Sequence, residues 1–233
     1  MEAIILAGGF GTRLKDIVND VPKSMAVVNG KPFLEYLLNF LSGQGIQKVI
    51  LSVGYLNDTI QSHFKNHYKN ILITYAVEEE PLGTGGGILN ALKNVDGNMA
   101  VVLNGDSMFR IDLHALQNQH EANNSDITLA LRYLEDTSRF GSVIIDQAKQ
   151  IVGFTEKQTG AGPGYINGGI YLINKGFFTR NEFPGKFSIE KDCFEKQYSD
   201  SRMFGYIARG YFLDIGIPED YMRAQDEFKQ FED

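Results

Sequence analysis

Four short, nearly continuous apolar runs constrain this chain more than any other feature: Ala3–Leu6, Lys48–Val53, Ile71–Ala76 and Met99–Leu103. A strand that is apolar on both faces has to be covered on both faces. The stretches between the runs carry helical patterns, at Pro32–Leu41, Asn57–Phe64 and Thr84–Leu92. This alternation predicts a parallel sheet with helices on both sides. Pro32 suits the first turn of its helix, and Gly43 and Gly45 suit the stop.

The second half reads differently. Ile127–Arg132, Ser142–Ile145, Ile151–Thr155 and Tyr165–Ile173 are strand-like, with little helix between them before Gly176. Antiparallel or mixed pairing is expected there, in an accessory sub-region lying over the sheet. A last helix is predicted over Pro218–Phe228, with proline near its start and acidic residues in its first turn, at the positive end of the helix dipole. The fold class expected is α/β: a Rossmann-like mixed, mostly parallel sheet flanked by helices, with a small accessory β lobe. The 233 residues suffice for one such domain with a real core.

Composition bears on partners and compartment. A net charge of −7 argues against general affinity for nucleic acid or an anionic membrane, while a local basic cluster can still receive a small anion. The single cysteine, Cys193, cannot form an intrachain disulfide, so a reducing, cytoplasmic setting is expected. No apolar stretch reaches membrane-spanning length. The opening MEAIILAGG lacks a basic n-region and turns to glycine too early for a leader, which makes a buried first strand the expected reading.

Chemistry enters at the turn after that strand, Leu6-Ala7-Gly8-Gly9-Phe10-Gly11-Thr12-Arg13-Leu14. Three glycines in four positions let backbone N–H groups approach a ligand without Cβ interference, a receptor suited to polyphosphate. Arg13, with its planar fork, suits the β- and γ-phosphates. A Walker loop would need Gly-Lys-Ser/Thr, which is absent, and a dinucleotide fingerprint would need glycine where Leu14 stands. Asp106 follows the run Met99–Leu103, at the strand edge where ligands bind in parallel sheets. Asp214 follows the short run Tyr211–Leu213, and Pro218 lies too far on for Asp214 to be the cap of the last helix. Each of these residues also has a bland reading, Asp106 as a turn aspartate and Lys23 as a solvated lysine. No Ser/His/Asp or Cys/His set stands out, and His63, His67, His114 and His120 are expected at the surface.

Leu6–Leu14, Pro22-Lys23, Glu80–Gly86, Asn104–Ser107, Phe140–Val143, Glu156-Lys157, Asn167–Tyr171 and Asp214–Gly216 together resemble the sugar-1-phosphate nucleotidyltransferases, in order and over nearly the whole chain. Within that family the string is most similar to guanylyltransferases for D-glycero-α-D-manno-heptose 1-phosphate. The resemblance implies a nucleotide-binding half over about 1–110 and a sugar-binding half over about 111–233. It implies nucleotide contacts from Leu6, Ala7, Gly8, Gly9, Gly11, Thr12, Arg13, Glu78, Gly83, Thr84, Asn104 and Gly105. Sugar contacts are implied for Gly141, Glu156, Lys157, Asn167 and Gly168. The catalytic set it implies is Arg13, Lys23, Asp106, Lys157 and Asp214, with Asp106 and Asp214 holding Mg²⁺. Such a site fits what Mg²⁺ favours, one or two carboxylates with phosphate oxygens and water.

The partners implied are GTP and a sugar 1-phosphate, and a homodimer is compatible with this reading. Glu78, where pyrimidine-using relatives commonly carry glutamine, favours GTP, because a carboxylate accepts the adjacent N1–H and N2–H of guanine well. Ser24, Ser107, Ile217 and Gly87 depart from the common pattern. Three other readings stay open: a UTP- or dTTP-dependent hexose or amino-sugar enzyme, a mannose-1-phosphate guanylyltransferase, and a catalytically silent subunit that binds nucleotide sugar.

Overall fold

The computed structural model describes residues 1–9 and 21–231. In chain order its strands are β1 (Glu2–Leu6), β2 (Val27–Val28), β3 (Lys31–Pro32), β4 (Lys48–Val53), β5 (His67–Tyr68), β6 (Ile71–Val77) and β7 (Met99–Asn104). There follow β8 (Ser107–Phe109), β9 (Ile127–Leu134), β10 (Ser142–Ile145), β11 (Ile151–Thr155), β12 (Gly164–Asn174), β13 (Met203–Ala208) and β14 (Phe212–Asp214). The helices are α1 (Phe33–Gly43), α2 (Asn57–Phe64), α3 (Gly83–Ala91), α4 (Leu113–Ala122), α5 (Lys175–Arg180), α6 (Glu195–Gln197) and α7 (Pro218–Glu227).

The four apolar runs form the centre of the main sheet, in the order β7-β1-β4-β6, all parallel. Their alternate residues enter two cores. Ile5, Leu51 and Leu103 pack with Phe33, Leu34, Leu37 and Leu41 of α1 and with Phe228 after α7. Ile4, Ile50 and Val102 pack with Ile88 and Ala91 of α3 and with Phe177, Cys193 and Phe194. Both faces of β1, β4 and β7 are therefore dry, which is why their runs do not alternate. Each of the fully buried Ile, Leu, Val and Phe side chains contributes about 1.5–3 kcal/mol.

Register then decides what is brought together. Leu6 stands opposite both Ser52 and Asn104, and Ser52 stands opposite Ala76. Four strand ends thus lie in one row, and the segments that leave them emerge along a single edge of the sheet.

The β-rich second half does not stack on the sheet; it extends it edge to edge. Ile170–Asn174 of β12 pairs antiparallel with β7, and the opposite edge of β12 pairs with β9, which carries β13. Farther along, Tyr165 pairs with Val143 of the β10–β11 hairpin. One edge of β12 therefore serves β7 and β10 in turn. Between the two, the register against β9 slips, with Asn167↔Leu131 followed by Tyr171↔Leu129. Two extra residues bulge out at Asn167–Ile170, beside the end of β7.

Two sequence expectations are corrected here. Pro32 is the residue before α1, with ψ 140°, and lies outside the helical turn. His120 is not at the surface: it is 2% exposed on the inner side of α4, with Nδ1 2.8 Å from Thr128 Oγ1. Burial of the ring holds its pKa down at about 4. His63, His67 and His114 are exposed, as expected. Among the described residues, no helix is long and apolar enough to cross a membrane.

Candidate active site

The row of strand ends opens on a cleft of about 600 Å³. Of the residues singled out in the sequence, Leu6, Ala7, Gly8, Gly9, Lys23, Glu78, Gly83, Thr84, Asn104, Gly105 and Asp106 line it. Gly11, Thr12 and Arg13 lie outside the described residues.

Asp106 is placed by a backbone that only glycine allows. Gly105 donates its N–H to Leu6 O at 3.0 Å, and a Cβ on Gly105 would fall 2.3 Å from that same oxygen. The turn from β7 into β8 is thereby pressed against β1. Beyond it, β8 pairs antiparallel with β14 so that Ser107 stands opposite Asp214, and Ile215 N donates to Asp106 O at 2.9 Å. This small ribbon brings together two carboxylates that are far apart in sequence. Ser107 Oγ donates to Asp106 Oδ1 at 3.2 Å, and Gly216 N donates to Asp214 Oδ1 at 2.6 Å.

Lys23 completes the group. Pro22 (φ −58°, ψ 147°) leads into a single tight turn closed by Met25 N to Pro22 O at 2.7 Å. The lysine Nζ lies 2.5 Å from Asp106 Oδ2 and 3.9 Å from Asp214 Oδ1, and its side chain is only 10% exposed. One ammonium therefore stands between two carboxylates and leaves the group with a net negative charge. Among the described residues, no cluster of three or more acidic, histidine or cysteine side chains suited to a metal ion exists. Two hard oxygen donors of this kind fit a Mg²⁺ ion whose other ligands are phosphate oxygens and water, rather than a cage made wholly of protein.

Asn104, next to this group, is held from two sides. Its Oδ1 accepts from Tyr171 Oη at 2.9 Å. Gly169, at φ +77°, lies so close that a Cβ there would come 3.1 Å from Asn104 Nδ2. Burial pushes the Tyr171 phenol well above its ordinary pKa, so it remains a neutral donor. Glu190 joins from the far side, with Oε1 3.4 Å from Tyr171 Oη and Oε2 accepting from Ser188 Oγ at 3.2 Å.

Glu78 leaves the end of β6 and turns into the cleft; Glu79 also lines the cleft but is exposed, as is Glu80. Its Oε1 accepts from Ser52 Oγ at 2.9 Å and its Oε2 from Leu82 N at 3.0 Å. The acidic triplet thus separates into one held carboxylate and two solvated ones.

The residues suggested for the sugar lie elsewhere. Gly141, Glu156, Lys157, Asn167 and Gly168 do not line this cleft. Glu156 and Lys157 are exposed where the chain leaves β11, and Gly141 is pressed against Thr155 O. Asn167 Oδ1 accepts from Gly169 N at 3.0 Å within the β12 bulge. Gly168 is buried beneath the Phe109 ring and can offer a ligand only backbone. The cleft also includes Ser24 and Pro81, which the sequence marked only as parts of the family pattern, and Ser52, Gly54, Tyr55, Asn57 and Val77, which sequence reading missed. The signal was available for Gly54 and Tyr55, since they follow a parallel strand at its carboxyl end.

The family model for nucleotidyl transferases matches residues 2–230. The chain is 42% identical over 231 residues to the D-glycero-α-D-manno-heptose 1-phosphate guanylyltransferase of Aneurinibacillus thermoaerophilus, covering 99% of this chain and 100% of that one. It is 46% identical over 221 residues to the enzyme of the same name from Campylobacter jejuni, covering 95% and 97%. The crystal structure of HddC from Yersinia pseudotuberculosis complexed with GMP-PN superposes with a TM-score of 0.86 at 36% identity, over 97% of this chain and 99% of that one. A doubly covered sheet with a glycine-walled cleft at its carboxyl edge, matched from end to end by these relatives, makes the chain a member of the nucleotidyl transferase family and a nucleotidyltransferase.

Proposed function

We propose that the protein joins GTP and D-glycero-α-D-manno-heptose 1-phosphate into GDP-heptose, releasing pyrophosphate. The observation that carries this reading is a single cleft holding Lys23 against Asp106 together with a fixed carboxylate, Glu78. The guanine edge presents two neighbouring donors, which suit that carboxylate. Full-length likeness to two heptose 1-phosphate guanylyltransferases supports the sugar.

In the reaction, an oxygen of the sugar phosphate attacks the α-phosphorus of GTP. A new P–O bond forms as the bond from the α-phosphorus to the α,β-bridging oxygen breaks, and the electron pair leaves with pyrophosphate. A phosphate monoester has a second pKa of about 6, so it is largely dianionic at neutral pH and needs no general base. What the protein must supply is position and charge. Backbone N–H groups of Gly8 and Gly9, beside Leu6 and Ala7 and with Gly11, Thr12 and Arg13 beyond, receive the triphosphate in this reading. Lys23 meets the reacting phosphates, while Glu156, Lys157 and Asn167 meet the sugar phosphate, with Gly141 and Gly168 beside them. Asp106 and Asp214 would hold Mg²⁺, which offsets phosphate charge when bound. The halves 1–110 and 111–233 act as one domain.

The test is transfer of label from [α-³²P]GTP in the presence of Mg²⁺ and the heptose 1-phosphate. Label is expected in a GDP-heptose product. Label that stays in GTP, under conditions where UTP or dTTP reacts with a hexose 1-phosphate, would contradict the reading.

A further inference from the structure

Glu78 is held in a way that its neighbours explain. Ser52 is 1% exposed, and its hydroxyl donates to Glu78 Oε1. That serine cannot drift. Its residue pairs with Leu6 on one side and Ala76 on the other, and its carbonyl accepts from Ala7 N at 2.8 Å. The second carboxylate oxygen is met by the backbone N–H of Leu82. Helix α3 closes the remaining side at Gly87, where a Cβ would lie 2.7 Å from Glu78 Oε1 and 2.9 Å from Ser52 Oγ. Among the described residues, no basic side chain comes within ion-pair distance of Glu78. Two neutral donors fix the group, one on each oxygen, and its charge is left to other partners.

We infer that Ser52 and Gly87 form a socket that turns Glu78 into a preset pair of acceptors, and that this socket, acting through Glu78, sets the preference for guanine. An ionised carboxylate has about four lone-pair positions. Ser52 Oγ occupies one on Oε1 and Leu82 N one on Oε2, leaving one on each for two parallel donors. Guanine N1–H and N2–H supply such a pair. A uracil or thymine edge offers one donor flanked by acceptors, and the amidine edge of adenine sets a donor beside an acceptor. Either would set a lone pair against the carboxylate, and a fixed carboxylate cannot turn aside. Ser52 and Gly87 are positioning residues. The inference rests on Glu78 reading the base.

The test uses the full chain, with GTP and UTP affinity measured by calorimetry and kcat/KM measured for each nucleotide. Ser52→Ala is expected to weaken GTP about tenfold, the scale of one hydrogen bond to a charged acceptor, mainly in KM, and to change UTP less than about twofold. Gly87→Ala is expected to act in the same direction with both donors still present, because the new methyl pushes the carboxylate out of place. Alanine favours a helix over glycine, so a loss without a fall in Tm reports position rather than unfolding. Glu78→Gln is measured alongside. If it lowers the GTP-to-UTP ratio while Ser52→Ala and Gly87→Ala leave that ratio within twofold, the socket is overturned and the base reading stands. Equal losses for both nucleotides in Ser52→Ala would also overturn it. If Glu78→Gln leaves the ratio unchanged, Glu78 does not read the base and the socket falls with it.

Discussion

Asp106 carries the clearest consequence at the scale of single residues. Asp106→Asn keeps the shape of the side chain, including an oxygen for Ser107 Oγ, and removes the charge that faces Lys23. Turnover is expected to fall at least about 10²-fold, the scale of several kcal/mol of lost charge stabilisation, with the circular dichroism spectrum and Tm nearly unchanged. Near-normal turnover at saturating Mg²⁺ would remove Asp106 from the chemistry. His120 makes a second prediction, about stability. Burial lowers its pKa to about 4, partly opposed by the nearby Glu121 and Asp126 carboxylates. The unfolded chain therefore binds this proton more readily, at an ordinary pKa of about 6.5. The stability contributed by keeping His120 neutral is complete above pH 6.5 and is lost as the pH falls toward 4, by about 2 kcal/mol at pH 5. Urea unfolding at pH 7 and pH 5 should show a smaller loss for His120→Gln than for the parent; equal losses would contradict the assignment.

Among the elements, α4 shows how a polar helical stretch can bury a residue that its sequence places at the surface, His120. Its polar run, Leu113–Ala122, has few apolar residues, and only Leu113, Leu116 and His120 are buried. What starts it is Asp112, whose side chain accepts from Ala115 N at 2.9 Å. Asp112→Ala is expected to cost about 1 kcal/mol, or about 2–4 °C in Tm, without change in activity. An unchanged Tm would mean that the cap is worth nothing here. The strands β1, β4 and β7 were legible to within a residue or two because burial on both faces leaves a plain signal, and β6, although Leu72 and Val77 are exposed, because its run is apolar nearly throughout. The β8–β14 ribbon was not. Its pairing depends on a long-range contact that no local pattern records, although Asp106 and Asp214 could each be suspected as strand-end carboxylates. Glu78 was separable from Glu79 and Glu80 only by family likeness, because its distinction comes from Ser52 on another strand and from the Leu82 N–H.

Taken as a whole, the molecule places its chemistry at one edge. Parallel β1, β4, β6 and β7 deliver the Leu6–Gly9 turn, Ser52, Glu78 and Asn104–Asp106 to the same cleft, and β14 brings Asp214 to Lys23. The bulge in β12 sets Asn167 and Gly168 near the end of β7, where the sheet passes from its parallel strands to the β10–β11 hairpin. This division follows from topology: β7, β1, β4 and β6 lie parallel and share an edge, and the second half joins them through β12, antiparallel to β7. The central claim, that this edge transfers guanylate to a heptose 1-phosphate, is tested most directly by pyrophosphate release with Mg²⁺, crossing GTP, UTP, dTTP, CTP and ATP with heptose, mannose, glucose and N-acetylglucosamine 1-phosphates. GTP with D-glycero-α-D-manno-heptose 1-phosphate is expected to exceed every other pair in kcat/KM. A higher value for any pyrimidine nucleotide, or for another sugar with GTP, would contradict it.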